Sequence, residues 1–92
     1  MAVYESSDQA AGSQVSVDTS TTTILAAKAT RRRVIIRNND ASNPVYLNSA
    51  AAATTSHFIV KAGESVEIRT RNDIRGIATG AAVTVHVWEE FD

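Results

Sequence analysis

The sequence contains no cysteine, one proline, four glycines and only five aromatic residues among 92. Without cysteine there is no disulfide to brace a small domain, no thiolate nucleophile and no sulfur ligand for a metal. No apolar run approaches the roughly 20 residues a membrane-spanning helix needs. The first residues also lack the charged start and apolar stretch of a signal peptide, so neither a membrane partner nor a secretory leader is expected. Charge of one sign is missing from the total as well. The formal net charge is −1 at pH 7, whereas a dedicated nucleic-acid binder is expected to be strongly basic.

What the chain does have is charge unevenly placed. Residues 1–27 carry Glu5, Asp8 and Asp18 with no base. Residues 28–75 hold all nine bases against Asp40, Glu64, Glu67 and Asp73, and residues 76–92 end in Glu89, Glu90 and Asp92. Acidic ends around a basic middle suit contacts between neighbouring copies. A chain this short buries only about 60–65% of its unfolded surface, and oligomerisation or docking is one way such a chain gains further burial.

Residues 1–14, MAVYESSDQAAGSQ, are small and polar with no period apart from Val3 and Tyr4. They are expected to form an arm outside the fold, with residues 15–92 as a single domain. From residue 15 the chain reads as short β-rich runs: Val15–Val17, Thr21–Leu25, Val34–Ile36, Val45–Leu47, Phe58–Val60, Val66–Arg69, Ile74–Ile77 and Val83–Trp88. Close, regular spacing without a helical period predicts an all-β fold, a small antiparallel sandwich or barrel of about eight strands. In the connectors, Asn and Asp between Asn38 and Pro44 tolerate left-handed backbone, and Gly63 supplies a positive φ. The alanine-rich stretch 48–56 is too short to hold a helix alone and is expected to be a loop. Period-2 patterning assigns the core to Ile24, Val34, Ile36, Val45, Leu47, Val66, Ile68, Val83, Val85 and Val87.

The most pointed stretch is RRRVIIRN, residues 31–38. Strand alternation places Arg32, Val34 and Ile36 on one face and Arg33, Ile35 and Arg37 on the other. Val34 and Ile36 then belong to the core, and Arg33 and Arg37 point outward. Glu67, outward on a later strand, is placed to pair with an outward arginine across the sheet. A phosphate-binding face would interleave these arginines with exposed aromatics, but Tyr46, Phe58, Trp88 and Phe91 fall on separate strands and ends. Arg31, Arg33 and Arg37 are therefore read as a solvated or protein-contacting face.

No pattern calls for catalysis. His57 and His86 stand alone without metal-ligand spacing. His86 could gather a metal with Glu89 and Glu90 only if the strand end curled; on a regular strand it lies with Thr84 and Trp88 on a half-exposed face. No serine sits in Gly-x-Ser-x-Gly, and the glycines form no phosphate loop. Trp88 is read as a core or interface residue. No cofactor and no metal is expected. A sugar site would need Tyr46 or Trp88 to converge with Asp40 or Asn43.

Read in order, TSTTTILAAKATRRRVIIRN, NPVYLN, ATTS, IVKAGESVEI and GAAVTVHVWEE cover residues 19–90. Together they resemble the small β-sandwich structural proteins of tailed bacteriophages, of the head-decoration or cement type. The resemblance implies a non-enzymatic virion component, made in the bacterial host cytoplasm and bound to the outer surface of the assembled capsid. Its partner would be the major capsid protein, its own state a homo-oligomer such as a trimer, with no nucleic acid and no membrane involved. The arm would reach the partner through Val3 and Tyr4, with Glu5 near basic groups. Other roles of the same fold remain as alternatives: a head fibre, a tail-tip or an adaptor module. A small carbohydrate- or nucleic-acid-binding barrel is a further one.

Overall fold

The computed structural model describes residues 9–92. Eight strands follow one another: β1 (Gln9–Val17), β2 (Thr22–Leu25), β3 (Arg31–Asn38), β4 (Val45–Ser49), β5 (Phe58–Val60), β6 (Ser65–Ile68), β7 (Ile74–Ala78) and β8 (Val83–Phe91). They form two four-stranded antiparallel sheets, ordered β1-β8-β3-β6 and β2-β7-β4-β5. Chain neighbours therefore alternate between sheets for much of the sequence. This is the connectivity of a double-sheet jelly roll.

Alternation along the strands decides what the sheets enclose. Val83, Val85 and Val87 of β8 and Val34 and Ile36 of β3 are fully or almost fully buried, and they face Ile24, Val45, Leu47, Val60 and Ile74 of the second sheet. The β-branched residues suit both the pleat and the packing. Gly76 has no room for a side chain: a Cβ there would lie 2.8 Å from Ile24 Cδ1 on the neighbouring strand and 3.2 Å from Val17 Cγ1 of the facing sheet. The core also contains Val17, Ala53, Val60, Ile74 and Ala78, beyond the residues expected. Val66 and Ile68 are only half-buried against it, because β6 is an edge strand with a neighbour on one side.

Two expectations about local structure are corrected. Residues 9–14 do not belong to an arm. They are the first part of β1, which pairs residue for residue with β8 from Gln9↔Phe91 to Val17↔Val83. The Asn38–Pro44 turn does not use left-handed backbone, since among the described residues only Ala50, Gly63 and Gly80 have positive φ. Side-chain acceptors shape it instead. Asp40 Oδ2 accepts from the N–H groups of Ser42 (3.0 Å) and Asn43 (2.7 Å), and Asn38 Oδ1 accepts from Asp40 N–H (2.9 Å). Gly63 takes the positive φ expected of it, at 79°. Residues 50–57 form a loop without helix, held where Ala50 N–H donates to the Asp73 carboxylate at 2.9 Å.

Candidate functional site: an arginine groove and an open strand edge

The three consecutive arginines do not alternate as a regular strand would make them. A bulge between Arg31 and Arg33 shifts the β3–β8 register, so Arg31 opposes Phe91 while Arg33 opposes Glu90. The extra residue turns Arg31 into the interior and leaves Arg32 outside, reversing the expected placement of these two. Arg31 is 3% exposed.

Glu89 meets it there. It continues the inward row of Val83, Val85 and Val87 and is itself buried. Arg31 Nε donates to Glu89 Oε2 at 2.7 Å. The other guanidinium nitrogens donate to the carbonyls of Thr70 (3.1 Å), Asn72 (2.7 Å) and Ala26 (2.6 Å). One side chain thus ties β8 to the β2–β3 and β6–β7 connections. Lys28 Nζ adds a bond to Glu89 Oε1 at 3.1 Å and sits 3.6 Å from the centre of the Phe91 ring. Burial pushes the Glu89 carboxyl up, but hydrogen bonds from Arg31 and then Lys28 outweigh it, and the net shift is downward. A buried ion pair costs desolvation, and it persists here because its donors and acceptors are matched. At the far end of the same β3 row, buried Asn38 donates to the Asn43 and Val60 carbonyls at 2.8 and 2.9 Å. No buried side-chain polar atom among the described residues lacks a partner.

The remaining arginines of the run are paired too. Arg32 Nε donates to Asp92 Oδ2 at 2.9 Å. Arg33 grips both oxygens of Glu90, at 2.8 and 3.1 Å, and reaches Glu67 at 3.2 Å. The pairing of Glu67 with an outward arginine is as expected. Arg69 joins Glu67 from the other side at 2.9 Å, and Trp88 Nε1 donates to Glu90 at 3.0 Å. The Glu90 carboxyl lies below its ordinary range because Arg33, and next Trp88, hydrogen-bond its charged form. The Arg33 guanidinium is raised, chiefly by its bonds to Glu90. The acidic end and the basic middle of the sequence are thus joined within one chain: Arg31 to Glu89, Arg32 to Asp92, Arg33 to Glu90.

Of the residues expected to touch a partner, Val3, Tyr4 and Glu5 lie outside the described residues. Arg31 is corrected, since its side chain is fully buried and cannot reach one. Arg33 is partly exposed within its ion pairs, and Arg37 is exposed. Trp88 is corrected as a core residue: it is 46% exposed on the outer face of the first sheet, between Gly12 of β1 and Ile35 of β3. The sugar constellation does not assemble, because Tyr46 is on the outer face of the opposite sheet and Asp40 is occupied within its own turn. His86 and Glu90 face outward and Glu89 inward, so those three do not converge.

Two surface features remain. One is a groove of about 960 Å³ between the start of β3 and the β6–β7 connection, with Arg69 and Arg71 on one side and Arg32, Arg33 and Asp92 on the other. The second is β1, at the edge of the first sheet. Six of its first residues are exposed, and from Gln9 to Val17 it has neither a charge nor a proline. The other edges are short: β6 and β2 have four residues each and β5 has three. The hydrophobic pattern does not mark this edge; β2, β4 and β5 also lack charge, and β1 stands apart only by running nine residues without charge or proline.

No protein family matches the sequence, and no curated relative does. Among solved structures, the chain resembles one described under "Bacillus endospore appendages form a novel family of disulfide-linked pili", with a TM-score of 0.59 and 13% identity. The match covers 90% of this chain and 85% of that one. At that identity the likeness is one of fold. The present sequence has no cysteine for a disulfide link.

Proposed function

We propose that this protein is a non-enzymatic structural subunit that works by docking into a larger protein assembly through the free edge of β1. The observation that carries this reading is that edge itself. Among the described residues β1 has a strand neighbour on one side only, and a nine-residue edge of that kind is a template for another chain. Natural edges are commonly blunted by lysine, proline or shortness, and β1 has none of these. Backbone hydrogen bonds to an added strand supply attachment without a specialised pocket.

Within that reading, the assembly is a bacteriophage virion and the protein decorates the outside of its capsid, as the sequence resemblance implies. Self-assembly into a fibre is the second reading, and the fold it shares with a pilus protein favours it. Ala10 and Gln14 lie on the outward face of β1, so A10K/Q14K charges the edge and leaves the core alone. Wild-type protein is expected to co-sediment with stripped phage shells, or to form oligomers or fibres by itself. The folded double variant is expected to do neither. A wild-type protein that stays monomeric at high concentration and ignores shells would refute the proposal.

A further inference from the structure

The charged groups that line the groove are not all consumed by ion pairs. Arg71 is exposed and makes no ion pair or side-chain hydrogen bond among the described residues. Arg69 has a 71% exposed side chain, with only Nε engaged by Glu67. These two stand on one wall of a concavity whose lining includes five arginines against two carboxylates, Glu90 and Asp92. Thr30 and Thr70 lie in the same lining.

From this arrangement we infer that the groove binds an extended acidic segment of a partner protein, with Arg69 and Arg71 holding its carboxylates. Guanidinium forks match carboxylates in geometry and charge, and such charge-assisted bonds are stronger than neutral ones. Arg31, saturated from behind, fixes the floor: its bonds to the Thr70 and Asn72 carbonyls set the path of the segment that carries Arg69 and Arg71. Glu90 and Asp92 decide the kind of polyanion. A peptide whose carboxylates are spaced by neutral residues can set its anions on Arg69 and Arg71 and pass Glu90 and Asp92 with uncharged units, whereas a nucleic-acid backbone presents an unbroken row of like charge to them. Among the described residues no aromatic side chain lines the groove for bases to stack on, as single-strand binding surfaces require. That the partner is a protein rests on the reading of the chain as a docking subunit; the charge of the site does not.

The test is isothermal titration calorimetry of the full chain with three probes: a short peptide alternating Glu and Ala, its Lys–Ala counterpart, and a single-stranded oligonucleotide of matching charge. The glutamate peptide is expected to bind at least about tenfold more tightly than the other two, and to weaken as salt rises from about 50 to 200 mM. R69A/R71A is expected to lose at least about tenfold of that affinity. R37A/K61A removes the same charge from exposed positions outside the groove and is expected to keep it. Equal loss in both double variants would reduce the effect to net charge and overturn the site. Tighter binding of the oligonucleotide would overturn the partner class. Shell and fibre assays report on the docking reading separately, so either can fail while the other stands.

Discussion

The two sheets turn the same kind of side chain inward and different chemistry outward. On the outer face of the first sheet, Trp88, Glu90, Arg33, Glu67 and Arg69 form one chain of hydrogen bonds across β8, β3 and β6. On the outer face of the second, Tyr46 lies between Ile77 and Ile59 across β7, β4 and β5, and Ile59 is 40% exposed at the short edge. Charge on the first sheet is matched within the chain, so most of it holds strands together. A run of arginines therefore locates a function only after its internal partners have been counted; among the described residues the count leaves Arg37 and Arg71 without a side-chain partner and Arg69 engaged through Nε alone.

The largest effect is expected at the centre of the first sheet. Val85 is fully buried on β8, the strand flanked by β1 and β3. Val85→Asp puts an unpaired charge there at a cost of several kcal/mol, against a total stability of roughly 5–15 kcal/mol for a domain. Circular dichroism is expected to show an unfolded or aggregated chain. A soluble variant with the wild-type melting temperature would contradict the strand assignment.

A smaller effect is expected in the second sheet. Gly76→Ala inserts a methyl group where Ile24, Val17 and Leu47 crowd within 2.8–3.4 Å. Ile24 Cδ1 can swing away, but Val17 is stiff about χ1. Overpacking of this kind costs about 1–3 kcal/mol, read as a lower denaturant midpoint with an unchanged slope.

The smallest effect is the one set by pH. Glu89, Glu90, Asp40 and Asp73 all have carboxyls held below their ordinary range. Arg75 accounts for Asp73, and the N–H groups of Asn43 and Ser42 account for Asp40. A depressed carboxyl stabilises the fold above its unfolded-state pKa, about 4.3 for Glu and 3.9 for Asp, and loses that contribution as pH falls through the folded value. The melting temperature is expected to be level above about pH 5 and to fall below about pH 4. Glu89→Gln should be less stable at neutral pH and show a shallower acid decline.

Much of this architecture was legible in the sequence. Each of the eight β-rich runs became a strand, and the inward placement of Val34, Ile36, Val83, Val85 and Val87 follows directly from alternation. What was hidden had physical reasons. The first part of β1, QAAGSQ, lacks β-branched residues and buries almost nothing, so it has no hydrophobic period to read. Its strand character comes from backbone pairing with β8. Phe58-Ile59-Val60 and Ile74 offer no clean alternation, so Val60 and Ile74 could not be assigned a face in advance. The bulge at Arg32 left no mark in a run of three identical residues. Nor could spacing reveal that Arg31 meets Glu89, 58 positions away, since only the β3–β8 register brings them together.

The arginine run is an internal clasp built on the buried Arg31–Glu89 pair. A double-mutant cycle measured by chemical denaturation tests it most directly, using Arg31→Ala, Glu89→Ala and both together. Each single variant is expected to cost about 3–5 kcal/mol, because the surviving partner is left charged and buried. The double variant should cost less than their sum by about 1–3 kcal/mol. Additive effects, or single variants as stable as the parent, would contradict the clasp.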